Sequence, residues 1–214
     1  METLLALLRD GLRPLDSSGV PTTDPLGDDP LAGHTALFVI DLEMSGPNPR
    51  EHEVLELGGV RARLAPGLEE EASWGSRVRP RHIGNGELAA LKVVGYNVKA
   101  WKDALELEPA FLKLVETGAG AVIAGWGISG DLAFLSETAR RTGRPWPFAP
   151  IALDIQTVAR KLLKPGGRVD RFNLGHVADR LGIGRMGEHG ALPDAYATYD
   201  VLIKLLERVA TTPD

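Results

Sequence analysis

The sequence predicts an α/β domain in which a mixed, five-stranded sheet is flanked by helices. Residues 35–43 form an apolar run that ends in two carboxylates, and both of its faces are apolar, as in a strand covered by helices on both sides. Residues 53–64 and 72–78 alternate like strands, and their connections are short enough for a three-stranded antiparallel meander. The rest of the chain alternates helices with two further strands.

The later elements are predicted from apolar periodicity and from the residues at their ends. Ser129 suits a helix N-cap, Gly182 stops a helix, and Pro193 suits a first helical position. Helices are predicted over residues 86–117 in two pieces divided near Gly95, and then over 130–141, 155–163, 173–181 and 193–209, with strands at 121–126 and 151–153.

The N-terminal part predicts a short helix followed by a linker. Residues 2–12 carry Leu4, Leu5, Leu7 and Leu8 as apolar positions, whereas residues 13–34 are rich in proline, aspartate, serine and glycine. We therefore expect residues 1–34 to precede a folded domain at residues 35–214.

Composition limits the class of protein. With 214 residues, 43% of them hydrophobic, the chain can build one core. The absence of cysteine excludes disulfides and thiolate metal sites and fits a cytoplasmic location. A net charge of −5 means that contact with nucleic acid must depend on local patches or on bound metal. No apolar run approaches the roughly 20 residues of a membrane span, so we expect a soluble protein.

Four carboxylates lie at strand ends or helix starts. Asp41 and Glu43 share one face of the first strand, where they are either hydrated at the strand end or neutralised by cations. Asp131 and Asp194 each lie in the first turn of a helix, on the face with the apolar residues that follow. For Asp131, the simple alternative is an acid that complements the helix dipole.

His189 lies in a glycine-rich segment before the last helix, from which it can lean over the same pocket. Oxygen ligands without cysteine favour Mg²⁺ or Mn²⁺, and two such ions about 4 Å apart can hold both reacting oxygens of a phosphodiester. A neutral histidine beside them can accept the proton of a water.

These residues, in this order, resemble a known family. Asp41-Leu-Glu43, Asp131 followed by Leu-Ala-Phe-Leu, and His189 five residues before Asp194 are similar to the motifs of the DEDDh (DnaQ-like) 3′–5′ exonucleases. Asp41-Leu-Glu-Met-Ser-Gly46 looks like the opening motif of oligoribonuclease. The segments 151–156 and 172–182 also match the family in style, and the resemblance spans roughly residues 35–209.

The resemblance implies a ribonuclease-H-like fold and a role for each motif residue. Asp41 would bridge two divalent cations, Mg²⁺ or Mn²⁺. Glu43 and Asp194 would hold the cation that activates water, and Asp131 would support the second. His189 would be the general base, and nucleoside 5′-monophosphates would leave from a 3′ end.

The resemblance also suggests where the substrate binds. Main-chain groups near Met44 and Ser45 are expected at the terminal nucleotide. Trp126-Gly, in place of the His-Asn common in relatives, looks like the Eri-type RNA-trimming branch and favours RNA. Trp126 either stacks on a base or belongs to the core. Arg168 and Arg171 are candidates for phosphate contacts, with solvated surface positions as the alternative.

The sequence thus predicts a metal-dependent exonuclease on single-stranded RNA or short oligonucleotides. A DNA exonuclease for proofreading or repair and a catalytically idle nucleic-acid-binding module are the alternatives. Some relatives form homodimers, so self-association is a further possibility that the sequence leaves open.

Overall fold

A computed structural model of the protein describes residues 6–64, 67–163, 172–184 and 190–211. Their centre is a six-stranded mixed sheet with the strand order β1-β6-β5-β2-β3-β4. The strands are β1 (Leu12–Pro14), β2 (Ala36–Met44), β3 (Val54–Arg63), β4 (Glu70–Arg77), β5 (Val122–Gly125) and β6 (Ile151–Asp154).

The predicted three-stranded antiparallel meander is confirmed, and its strand β2 joins it to the rest of the sheet. β2 pairs antiparallel with β3 and parallel with β5, and β3 pairs antiparallel with β4. The register places Asp41 opposite Gly58 and Glu43 opposite Glu56. The carboxyl end of β2 therefore brings acidic side chains from two strands together.

In the described part of the chain, six α-helices flank the sheet. They are α1 (Leu88–Val94), α2 (Leu107–Gly118), α3 (Ser129–Thr142), α4 (Ile155–Leu163), α5 (Leu174–Arg180) and α6 (Ala191–Thr211). Leu37 and Val39 of β2 belong to the core that includes α4, α5 and α6, whereas Phe38 and Ile40 belong to the core that includes α2 and α3. Burial on both faces explains why β2 is apolar on both sides.

The sheet has one strand more than the sequence predicted. Residues 12–14, which the sequence assigned to the end of a short helix and the start of a linker, pair antiparallel with β6 as the edge strand β1. Leu8, Leu12 and Leu15 are at most 7% exposed. A strand of three residues is too short to show an alternating pattern, so proline and polar neighbours dominated the prediction.

The helical region after β4 divides where the sequence predicted. Gly95 ends α1 in the left-handed conformation (φ 68°), and the chain then turns until α2 begins at Leu107. Trp101, in these turns, is 4% exposed and its Nε1–H donates to the carbonyl oxygen of Leu55 (3.1 Å). Among the described residues, no helix combines the length and the apolar character needed to cross a membrane.

Candidate active site

Strand β2 delivers two carboxylates to its carboxyl end. Asp41 and Glu43 alternate with buried Ile40 and Leu42, so packing of the apolar residues aims both acids at the opposite face. The β2–β3 register shifts between Glu43 and Met44, and such an irregularity re-aims neighbouring side chains.

Helix α6 brings a third carboxylate to the same place. Asp194 lies in the first turn of α6. One carboxylate oxygen from each of Asp41, Glu43 and Asp194 lies within 4.8 Å of the other two. The first turn of α6 rests on β3, because a Cβ at Gly58 would lie 2.3 Å from the backbone nitrogen of Leu192. Glycine at position 58 thus permits the close approach of the helix.

Asp131 reaches the site from the first turn of α3. Its side chain is buried, with the residue 8% exposed, and Oδ1 accepts a hydrogen bond from the backbone N–H of Leu42 (3.1 Å). Leu42 stands between Asp41 and Glu43, so this bond ties α3 to the strand that carries both acids. Asp131 lies beside the three-carboxylate group rather than within it.

Burial and mutual repulsion raise the pKa values of these acids. Burial, and then the charge of Asp131 and the other nearby acids, raises the pKa of Asp41 well above its usual value. Burial together with the charges of Asp194 and Glu56 raises the pKa of Glu43 to about 7. Burial raises the pKa of Asp131 to about 7, although the hydrogen bond from Leu42 acts in the opposite direction.

The donor set suits a hard divalent cation. Asp41, Glu43 and Asp194 supply carboxylate oxygens, which Mg²⁺ and Mn²⁺ prefer. Within the described residues, no arginine or lysine forms an ion pair with Asp41, Glu43 or Asp131. Clustered carboxylates with raised pKa values are costly without compensation, and a divalent cation provides it.

The other predicted site residues divide into two groups. Met44 is half-buried, and Ser45 is 1% exposed, with its Oγ accepting a hydrogen bond from the N–H of Glu53 (2.9 Å). Trp126 is half-buried and stacks on Phe172, with ring centroids 5.9 Å apart. Nucleotide contacts by these three residues stay a prediction. His189, Arg168 and Arg171 lie outside the described residues.

Sequence reasoning missed Glu56. This half-buried residue faces Glu43 across the β2–β3 pair, its Oε1 accepts from Nε of Arg77 (3.1 Å), and its Oε2 accepts from the backbone N–H of Ala191 (3.2 Å). An acid within a mostly buried strand was the available signal. The register that places it opposite Glu43 is set by tertiary packing, which no local pattern in the sequence reveals.

Comparison with known proteins places the domain in a family. Residues 38–202 match the family model described as an exonuclease, RNase_T. The DNA polymerase III subunit epsilon of Aquifex aeolicus is 27% identical over 172 residues, covering 80% of each chain. The PolC-type DNA polymerase III of Thermotoga maritima is 25% identical over 191 residues, and the match covers 87% of this chain but only 13% of that protein.

Solved structures show the same fold. The nuclease domain of 3′hExo, a DEDDh family member determined with bound rAMP, aligns with a TM-score of 0.66 at 18% identity, covering 83% of this chain and 94% of that one. Escherichia coli exonuclease I in complex with a dT13 oligonucleotide aligns with a TM-score of 0.67 at 18% identity, covering 81% and 41%. Because the family match covers most of the chain and the domain has the fold of the DEDDh nucleases, the protein belongs to this family of exonucleases.

Proposed function

We propose that the protein is a metal-dependent 3′–5′ exonuclease that releases nucleoside 5′-monophosphates from single-stranded nucleic acid. The observation that supports this most directly is the meeting of Asp41, Glu43 and Asp194 within 4.8 Å, with Asp131 bonded to the backbone between the first two. Such a group has no structural benefit of its own, because its buried charges repel one another.

The positions of the four acids support the roles that we propose for them. Asp41 is the most central acid, since Asp131, Glu43 and Asp194 all act on its charge, so it is the residue proposed to contact both cations. Glu43 and Asp194 hold one cation, and Asp131 orients β2 and supports the second. When bound, the cations supply a polarised water and neutralise the charge that develops on the phosphate.

His189 is proposed as the general base that accepts the proton of the attacking water. Its place in the chain, directly before α6, is compatible with that role, because α6 begins at the carboxylate cluster. A histidine with an ordinary pKa can accept a proton near neutral pH.

RNA or short oligonucleotides are the favoured substrates. The Trp126-Gly pair that resembles the RNA-trimming branch supports this preference, and Arg168 and Arg171 are proposed to contact phosphates. A DNA exonuclease for proofreading or repair is the second candidate. The similarity to DNA polymerase III proteins favours it.

A ladder assay tests the proposal. Single-stranded RNA and DNA of the same sequence, labelled at the 5′ end, should shorten one nucleotide at a time in Mg²⁺ or Mn²⁺ and stay intact in EDTA. The same strands labelled at the 3′ end should release labelled mononucleotide first. Faster digestion of RNA supports the favoured substrate, and faster digestion of DNA supports the second candidate.

Two variants make the assay specific to the site. Asp41→Asn should abolish digestion, whereas Asp103→Asn, at an aspartate whose side chain is 87% exposed, should leave it unchanged. Internal fragments that appear before end trimming would contradict an exonuclease. Digestion that survives in Asp41→Asn would contradict the proposed site.

A further inference from the structure

We infer that Glu56 is a positioning residue which, together with Arg77, fixes the start of helix α6 and thereby the placement of Asp194. This inference rests on the proposed nuclease function for its kinetic consequences. Glu56 contacts neither a reacting group nor, by this inference, a metal. Its two oxygens instead join β4 and α6 to β3.

Both oxygens of Glu56 are already engaged by the protein. Oε1 accepts from Nε of Arg77 at 3.1 Å, and Oε2 accepts from the backbone N–H of Ala191 at 3.2 Å. The Glu56 side chain is 15% exposed, so water competes little for these bonds. Among the described residues, Glu56 is also absent from the group of carboxylates whose oxygens lie within 4.8 Å of one another.

The bond to Ala191 is made where a helix most needs an acceptor. The first N–H groups of an α-helix have no partner within the helix, and a negative charge there is favourable. Ala191 is the first residue of α6, and Asp194 follows three residues later in the same turn. Movement of Ala191 away from β3 would therefore move Asp194 away from Asp41 and Glu43.

Arg77 is itself held in place, so Glu56 is fixed from its other side. Its guanidinium donates to the carbonyl oxygen of Ala100 (2.9 Å) and lies 4.5 Å from the centre of the Trp101 ring. The indole of Trp101 in turn donates to the carbonyl oxygen of Leu55, next to Glu56. The turns between α1 and α2 thus support the position of the carboxylate.

The charge at position 56 is costly, which argues that it has a role. The β2–β3 register places Glu56 directly opposite Glu43, and like charges facing each other across a strand pair are destabilising. A neutral side chain would remove that repulsion. It would also remove the ion pair with Arg77, and an apolar side chain would remove the acceptor for α6 as well.

The test compares Glu56→Ala and Glu56→Gln with a matched control, Glu71→Ala. Glu71 also forms a strand-to-strand ion pair, with Arg63 at 3.1 Å, and within the described part of the chain its side chain forms no hydrogen bond or ion pair with α6. Displacement of a reacting group by about 1 Å can cost roughly 100-fold in rate, so kcat of Glu56→Ala should fall by about 10- to 100-fold with a small change in KM. Glu71→Ala should keep the wild-type kcat.

The glutamine variant separates positioning from metal ligation. Its amide oxygen can still accept from Ala191, so Glu56→Gln should retain a kcat several-fold higher than that of Glu56→Ala. Equal loss in the two variants, together with weaker Mn²⁺ binding by calorimetry, would mean that Glu56 is a metal ligand and would overturn the inference. An unchanged kcat in Glu56→Ala would also overturn it.

Amide hydrogen exchange at Ala191 tests the contact without any reference to catalysis. Loss of one hydrogen bond worth about 1.4 kcal/mol corresponds to about tenfold faster exchange, which is expected in Glu56→Ala and not in Glu71→Ala. Unchanged protection in both would overturn the inference.

If the wild-type protein digests no nucleic acid, the proposed function fails, and the exchange measurement still decides whether Glu56 anchors α6. If Glu56→Ala does not fold, Arg77→Met decides the same question, because faster exchange of the Ala191 amide than in wild type supports the inference and unchanged exchange overturns it.

Discussion

Removal of one buried charge from the acidic site should make the metal-free protein more stable. Asp131→Asn is the sharpest form of this change, because the amide oxygen can still accept from the N–H of Leu42. The substitution keeps the size and the hydrogen bond of the side chain and removes only its ability to ionise.

The magnitude follows from the pKa of Asp131. Burial raises that pKa from 3.8 to about 7, a change of about 3 pH units, which corresponds to about 4 kcal/mol once the group is fully ionised in both states. Between pH 3.8 and about 7 the folded protein binds more protons than the unfolded chain, so the wild type loses stability as pH rises through this window. From pH 5 to pH 8 the advantage of Asp131→Asn should therefore grow by about 2–3 kcal/mol.

The assay is urea unfolding in EDTA at pH 5 and pH 8, with Asp103→Asn as an exposed control. Addition of Mg²⁺ at pH 8 should reduce this advantage, because a ligand at 100 times its Kd stabilises the folded wild type by about 2.7 kcal/mol and a variant that binds it weakly by less. A variant that is less stable than wild type at pH 8 in EDTA, or an advantage that does not change with pH, would refute the reasoning.

Three further changes test other parts of the structure. Gly58→Ala places a Cβ 2.3 Å from the backbone nitrogen of Leu192 and should displace α6, so kcat should fall by about 100-fold. The control Gly84→Ala should have no effect, because a Cβ at position 84 has no neighbouring atom within 4 Å. Equal rates in the two variants would contradict the close approach of α6 to β3. Leu12→Ala should lower the free energy of unfolding by about 2–5 kcal/mol, measured with urea, and a loss below about 1 kcal/mol would contradict the packing of β1. His189→Ala should lower kcat by about 10²–10⁴-fold with unchanged Mn²⁺ affinity, and loss of that affinity would assign His189 to the metal instead.

The central strands and the acidic motif were predictable because strong local patterns determine them. Residues 36–44 are apolar on both faces, and β2 is buried on both faces, so the sequence showed directly that Asp41 and Glu43 end a covered strand. The helical spacing after Asp131 and Asp194 correctly indicated that each faces the sheet. The packing of α3 and α6 then brings both acids to the end of β2.

Features that depend on contacts between distant residues were not predictable from the sequence. Strand β1 is defined by its pairing with β6 more than a hundred residues later, and nothing in residues 12–14 indicates it. Glu56 has a role because the β2–β3 register places it next to both Glu43 and Ala191. Register is set by tertiary packing, so no local pattern reveals it.

Binding of Mn²⁺ to wild type and to Asp41→Ala tests most directly whether the gathered carboxylates form a metal site. Titration calorimetry at pH 8 should show saturable binding to wild type and binding weaker by at least about tenfold in the variant. Equal affinity in the two proteins would contradict the account.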